Sequence, residues 1–157
     1  MKSRFDPEEW TQLLLFPYVI FALIAGADRV IDKKERAQFQ KELDEHCKAA
    51  DPLQALLYEE LKQADSEALL HQAKEPEHFQ ARIMGVRKIL STVLTLEEFT
   101  SFTCSMFATG LRVAQASGGG WFGLGDPVSP KERAALNLYS THFGLDSQTL
   151  EGYLTSK

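Results

Sequence analysis

From Trp10 to Ala27 the chain reads WTQLLLFPYVIFALIAGA, without a single charged side chain. Leaving such a run in water is costly, so any stable fold must cover it. Three coverings compete. A membrane helix usually needs about 20 apolar residues, and this run carries Thr11, Gln12 and a central Pro17. A signal peptide would find an A-x-A cleavage pattern at Ala25-Gly26-Ala27, but Asp6, Glu8 and Glu9 stand where its positive region belongs. A core helix buried by the rest of the chain fits best. The 157 residues suffice for one domain, 1–157, with an adequate core. A composition 44% hydrophobic and 25% charged is ordinary for a soluble globular protein.

The rest of the chain reads as helices joined by short breaks, with no sustained period-2 pattern. Pro7 after Asp6 starts the first helix, and Pro17 is expected to break or kink it. Asp32 with Glu35 three residues on resembles a capping box for the second, whose thin apolar stripe is Phe39, Leu43 and Cys47. Asp51-Pro52 starts the third, with Leu53, Leu56, Leu57 and Leu61 as its core face. Asp65 caps the fourth, and Pro76 opens the fifth, whose stripe is Phe79, Ile83, Val86, Leu90 and Val93. Thr95 and Glu98 box the sixth, where Gly110 permits close helix contact. Ser129-Pro130-Lys131-Glu132 boxes the seventh, which stops at Gly144. Asp146 or Ser147 caps the last. The expected architecture is an all-α bundle of seven to eight helices. A weak internal repeat runs through it. ALIAGADRVIDKKERAQF and VAQASGGGWFGLGDPVSPKERAALNLY both run from an apolar helix through a loop and a cap to K-E-R-A, so helix pairs related by a pseudo-twofold axis are expected.

The net charge of −5, with no run of more than two adjacent Lys or Arg, argues against a nucleic-acid partner. Two cysteines, Cys47 and Cys104, are sparse usage that suits the reducing cytoplasm. No zinc spacing, nucleophile elbow or P-loop is present. The glycines Gly118, Gly120 and Gly123 spell G-x-G-x-x-G, but a helix rather than a strand precedes them, which removes the dinucleotide reading. In that loop, 117–126, Trp121 and Phe122 either tuck onto the core or form a partner-binding surface, with a homodimer as one form of it.

The acids Asp28, Asp32 and Glu35 fall at offsets of four and three. Two readings stand side by side. In one, Asp32 and Glu35 start a helix and nothing more. In the other, the three converge on a hard cation, Ca²⁺ or Mg²⁺, which takes oxygen ligands. Arg29, Lys33 and Lys34 balance the three acids, which favours the first reading.

LIAGADRVIDKKE resembles the acidic motif of the TerB-like (tellurite-resistance) family, an apolar helix ending in Ala-Asp-Gly and then Val/Ile-Asp/Ser-x-x-Glu. VSPKE after ASGGG looks like the matching half of that family's internal repeat. The resemblance implies a non-enzymatic, all-helical domain related to those of J-domain co-chaperones and linked to tellurite resistance and stress responses. It also implies divalent-metal binding at Asp28, Asp32 and Glu35, with Glu132 in the second half, where Ala116-Ser117-Gly118 lacks the motif's acid and Asp126, if the loop folds back, stands in for it. A protein partner is expected and a stable membrane span is not.

Overall fold

The structure is a computed structural model that describes residues 1–26, 31–45, 51–75, 78–117 and 128–155. Its elements are a short 3₁₀ turn, Lys2–Arg4, and eight helices: α1 (Pro7–Ala25), α2 (Lys33–Glu45), α3 (Pro52–Leu61), α4 (Ser66–Ala73), α5 (Phe79–Val93), α6 (Leu96–Ser117), α7 (Pro130–Phe143) and α8 (Ser147–Thr155). No strand occurs among the described residues. The all-α bundle is thus the architecture the chain adopts.

The uncharged run is α1, and most of its apolar window is buried inside the bundle. α1 packs against α3, α4, α5, α6 and α7. Its start is a reciprocal box: Asp6 Oδ1 accepts from the backbone N–H groups of Glu8 and Glu9 at 2.9 and 2.8 Å, and Glu9 Oε2 accepts from Asp6 N–H at 3.0 Å. Of the break or kink expected at Pro17, the break does not occur: the helix continues through it. Proline deprives the Leu13 carbonyl of its usual helical donor, a local cost. Burial of Leu13, Phe16, Tyr18, Val19, Ile20 and Phe21 around that point outweighs it.

α6 lies across α1 with glycine at the contact. A Cβ on Gly110 would fall 2.4 Å from Ile24 Cδ1, well inside contact distance, so the Ile24 side chain packs directly on the α6 backbone with no side chain from α6 in the way. Around this crossing an aromatic nest joins α1, α6 and α7. Phe16 sits 6.3 Å from Phe102 and 5.7 Å from Phe143, ring centre to ring centre, and Tyr139 lies 4.6 Å from Phe143. α2 packs on α6, while α7 packs on both α6 and α1. The second helix of each half of the repeat therefore reaches across to the first helix of the other. Phe39 ties α2 back to α1 by stacking on Phe21 at 4.4 Å.

Two details depart from the stripe readings. On α3, Leu53, Leu57 and Leu61 are buried but Leu56 is 40% exposed. Gln54 and Tyr58 turn inward in its place and join a polar seam with α6. Gln54 Nε2 donates to Tyr58 Oη and to Thr109 Oγ1 at 3.0 Å, Tyr58 Oη donates to Thr109 Oγ1 at 3.2 Å, and Ser105 Oγ donates to Gln54 Oε1. Burial pushes the Tyr58 phenol up to about 12, against the pull of its hydrogen bonds, so it stays a neutral donor. On α5, the first helical residue is Phe79, while Pro76 lies outside the described residues. The free thiol of Cys104 is buried, which raises its pKa and leaves it unreactive. Cys47 lies outside the described residues.

A second polar contact clamps α2 to α6. Arg112 Nε and Nη2 donate to Glu42 Oε1 and Oε2 at 2.8 and 2.6 Å, in the paired geometry that suits a carboxylate. Glu42 is fully buried and also accepts from Gln38 Nε2 at 2.7 Å, whereas the Arg112 side chain is 36% exposed. Removing the guanidinium alone strips a buried carboxylate of its counter-charge. Arg112→Ala is therefore expected to cost about 3 kcal/mol in urea unfolding, and Glu42→Leu with Arg112→Met to cost much less. At the helix crossing, Gly110→Ala is expected to destabilise by about 1–2 kcal/mol through overpacking. Combined with Ile24→Val, which deletes the clashing methyl, it should cost clearly less than the two single changes summed, as a double-mutant cycle would record.

Candidate functional site

The two copies of the loop-to-helix motif are built alike. In the first, Ile31 is half-buried against the core, Glu35 N–H donates to Asp32 Oδ1 at 2.8 Å, and Asp32 N–H donates to Glu35 Oε2 at 2.7 Å. In the second, Val128 is buried, Glu132 N–H donates to Ser129 Oγ at 3.2 Å, and Ser129 N–H donates to Glu132 Oε2 at 2.7 Å. The glutamates are the unusual members, because Glu35 and Glu132 are only 4% and 3% exposed. A cap on a surface helix leaves its carboxylate in water. Here each carboxylate lies under the protein surface at a helix start, where exposed N–H groups and the helix dipole stabilise negative charge.

Of the acids singled out in the sequence, the structure pairs Asp32 with Glu35 and places Glu132 in the corresponding position on α7. Asp28 and Asp126, and the loop aromatics Trp121 and Phe122, lie outside the described residues. Among the described residues, no three His, Cys, Asp or Glu side chains come together as a metal-holding group. Asp32 and Glu35 each commit one oxygen to a backbone donor, and Ca²⁺ takes six to eight oxygens. The described part of the junction does not by itself fit an ion, and a cation there requires further ligands.

One concave feature was not found by motif reading. Between α1, α4 and α5 lies a hollow of about 400 Å³, within the range of ligand sites. Leu15, Phe16, Val19 and Val86 line its apolar part. At its polar edge, Arg82 Nη1 donates to the Gln72 carbonyl at 2.6 Å, and Glu75 Oε2 faces both Arg82 Nη2, at 3.3 Å, and His78 Nδ1, at 3.1 Å. The sequence holds only a faint signal for it, in Gln12 within the apolar run and in Ala81 and Gly85 on the outward side of the α5 stripe.

Comparison with known proteins supplies no relative: no protein-family model, curated protein or solved structure matches the chain.

The caps themselves can be tested. Glu35→Gln keeps an acceptor oxygen and is expected to hold the melting temperature within a few degrees of the unchanged protein. Glu35→Ala and Glu132→Ala are each expected to cost about 1–2 kcal/mol in urea unfolding, since each removes a buried reciprocal cap.

Proposed function

We propose that this chain is a non-enzymatic, TerB-like helical domain of the cytoplasm that works by binding a protein partner, in a stress or tellurite-response setting. The observation that supports this most is the commitment of the motif acids to structure. Glu35 and Glu132, the shared residues of the two motif copies, are buried and hold the helix starts together. Acids used in this way frame a surface rather than transfer protons. The residues the sequence singles out for contact stand ahead of those caps in the chain: Asp28 before α2, and Trp121, Phe122 and Asp126 before α7.

The reading has an ion-dependent form and an ion-free form. In the first, Asp28 adds oxygens to those of Asp32 and Glu35 to hold Ca²⁺ or Mg²⁺, and the ion presents the loop to the partner. In the second, the aromatics of the 117–126 loop make the contact directly, including contact with a second copy. The commitment of one oxygen each of Asp32 and Glu35 to a cap favours the ion-free form. Calorimetric titration of ion-free protein with Ca²⁺ and Mg²⁺ is expected to give no saturable heat and no melting shift at millimolar ion. Saturable heat that Asp28→Ala abolishes would establish the ion-dependent form instead. In the ion-free form, Trp121→Ala with Phe122→Ala is expected to abolish concentration-dependent self-association measured by sedimentation. Unchanged association in that variant would overturn the loop as the contact surface.

A further inference from the structure

The hollow beside α1 is half of a longer feature. A second hollow of about 350 Å³ continues along the same two helices, and both are lined by Gln12. The first pairs Val19 of α1 with Ala81 and Arg82 of α5, and the second pairs Glu8 and Glu9 with Lys88 and Thr92, so the helices run antiparallel along a common groove. Two rows form its sides. Glu8, Gln12, Leu15 and Val19 step by four, three and four along α1, and Ala81, Gly85, Lys88 and Thr92 step the same way along α5. From Glu8 to Val19 the groove is about 17 Å long at the rise of a helix, or about three helical turns.

We propose that this α1–α5 groove is the docking site for a basic amphipathic helix of a partner protein. The inference rests on reading the chain as a protein-binding domain and adds a second contact surface, apart from the 117–126 loop, with the chemistry of what it receives. Three observations argue for that occupant. Leu15 and Ala81 give the hollow accessible apolar surface between two helix rows, above a buried floor of Phe16, Val19 and Val86, a shape that receives the apolar face of a third helix. Ala81 and Gly85 keep one wall low. Gly85 sits in the middle of α5, where glycine weakens a helix, and what it provides there is room for the flexible end of the Gln12 side chain. The charge is uneven along the groove. Asp6, Glu8 and Glu9 face a single cation, Lys88, at one end. At the other end Arg82 and His78 are already engaged by Glu75. The Glu8 carboxylate takes part in no ion pair among the described residues. A helix with lysine or arginine at one end and leucines along one face therefore complements the groove in both shape and charge.

Gly85 also permits a test that spares the fold. A Cβ there would meet only Gln12 Oε1, the flexible end of a side chain, at 3.3 Å. Gly85→Leu should fill the groove while strengthening α5. The probe is a labelled synthetic helix of about four turns, with leucines at i, i+3, i+4 and i+7 and three lysines at one end, read by fluorescence anisotropy against the full chain. Binding is expected, weakened about tenfold or more when the lysines are replaced by glutamates and about fivefold or more by Glu8→Lys. Gly85→Leu should abolish it with the melting temperature unchanged or raised. Trp121→Ala belongs to the loop reading and should leave the peptide affinity as it was, so failure of the loop and failure of the groove are told apart. No binding at all, equal binding of the acidic peptide, or full binding by Gly85→Leu would overturn the proposal. Self-association that Gly85→Leu abolishes and the peptide does not displace would assign the groove to a second copy and overturn it as well.

Discussion

The approach of α6 to α1 at Gly110 sets the spacing on which the other helices depend. α1 carries the uncharged run that must be covered, and α6 is the longest helix available to cover it. With no side chain on Gly110, Ile24 lies directly against the α6 backbone, and the two helices form a close cross. The remaining elements fill its quadrants. α2 and α3 rest on α6, α4 and α5 rest on α1, and α7 contacts both, inserting Tyr139 and Phe143 beside Phe16. A larger residue at position 110 would push the cross apart and loosen every quadrant together, since packed interiors have little slack.

Polar groups hold the periphery of this cross in place. Arg4 ties the N-terminal turn to the start of α6 by pairing with Glu98 at 2.7 Å, and this guanidinium contact brings the glutamate carboxyl down to about 2. The sign follows from that direction. The contribution is present above the ordinary carboxylate range and is lost as pH falls through about 2. The buried caps at α2 and α7 act at the opposite end of the motif copies, fixing where each loop rejoins the bundle. Neither device lies between α1 and α5, where the described residues leave a groove with apolar and charged parts.

Much of the bundle was legible in the residues because helix starts carry local chemistry. Asp6-Pro7, Asp32 with Glu35, Asp51-Pro52, Asp65, Thr95 with Glu98 and Ser129-Pro130 all cap the helices they announced. The failures have tertiary causes. Pro17 argues locally for a break, and only burial on several sides overrides it. Leu56 faces outward and Gln54 inward because α6 offers the hydroxyls of Ser105 and Thr109 opposite α3, and no one-helix pattern can contain that. Of the candidate site, the pairing of Asp32 with Glu35 was readable, whereas the depth of Glu35 was not, since a cap motif reads the same on a surface helix as on a buried one. The groove was invisible for a similar reason. It consists of what α1 and α5 leave open once they have packed, and its clearest residue, Gly85, reads in isolation only as a weak point in a helix.

The hydrogen-bonded seam between α3 and α6 has a mechanical consequence. Apolar helix faces can slide past one another in small steps, because methyl contacts are exchanged for similar ones. The Gln54, Tyr58, Ser105 and Thr109 set has a single matching register. A shift by one turn, about 5.4 Å, would strand several buried donors and acceptors at once, each at a cost of about 1–3 kcal/mol. α3 and α6 therefore move as one stiff plank. Side-chain polarity on a buried face here fixes where two helices sit along each other, which the apolar residues Leu53 and Leu57 beside it could not do alone.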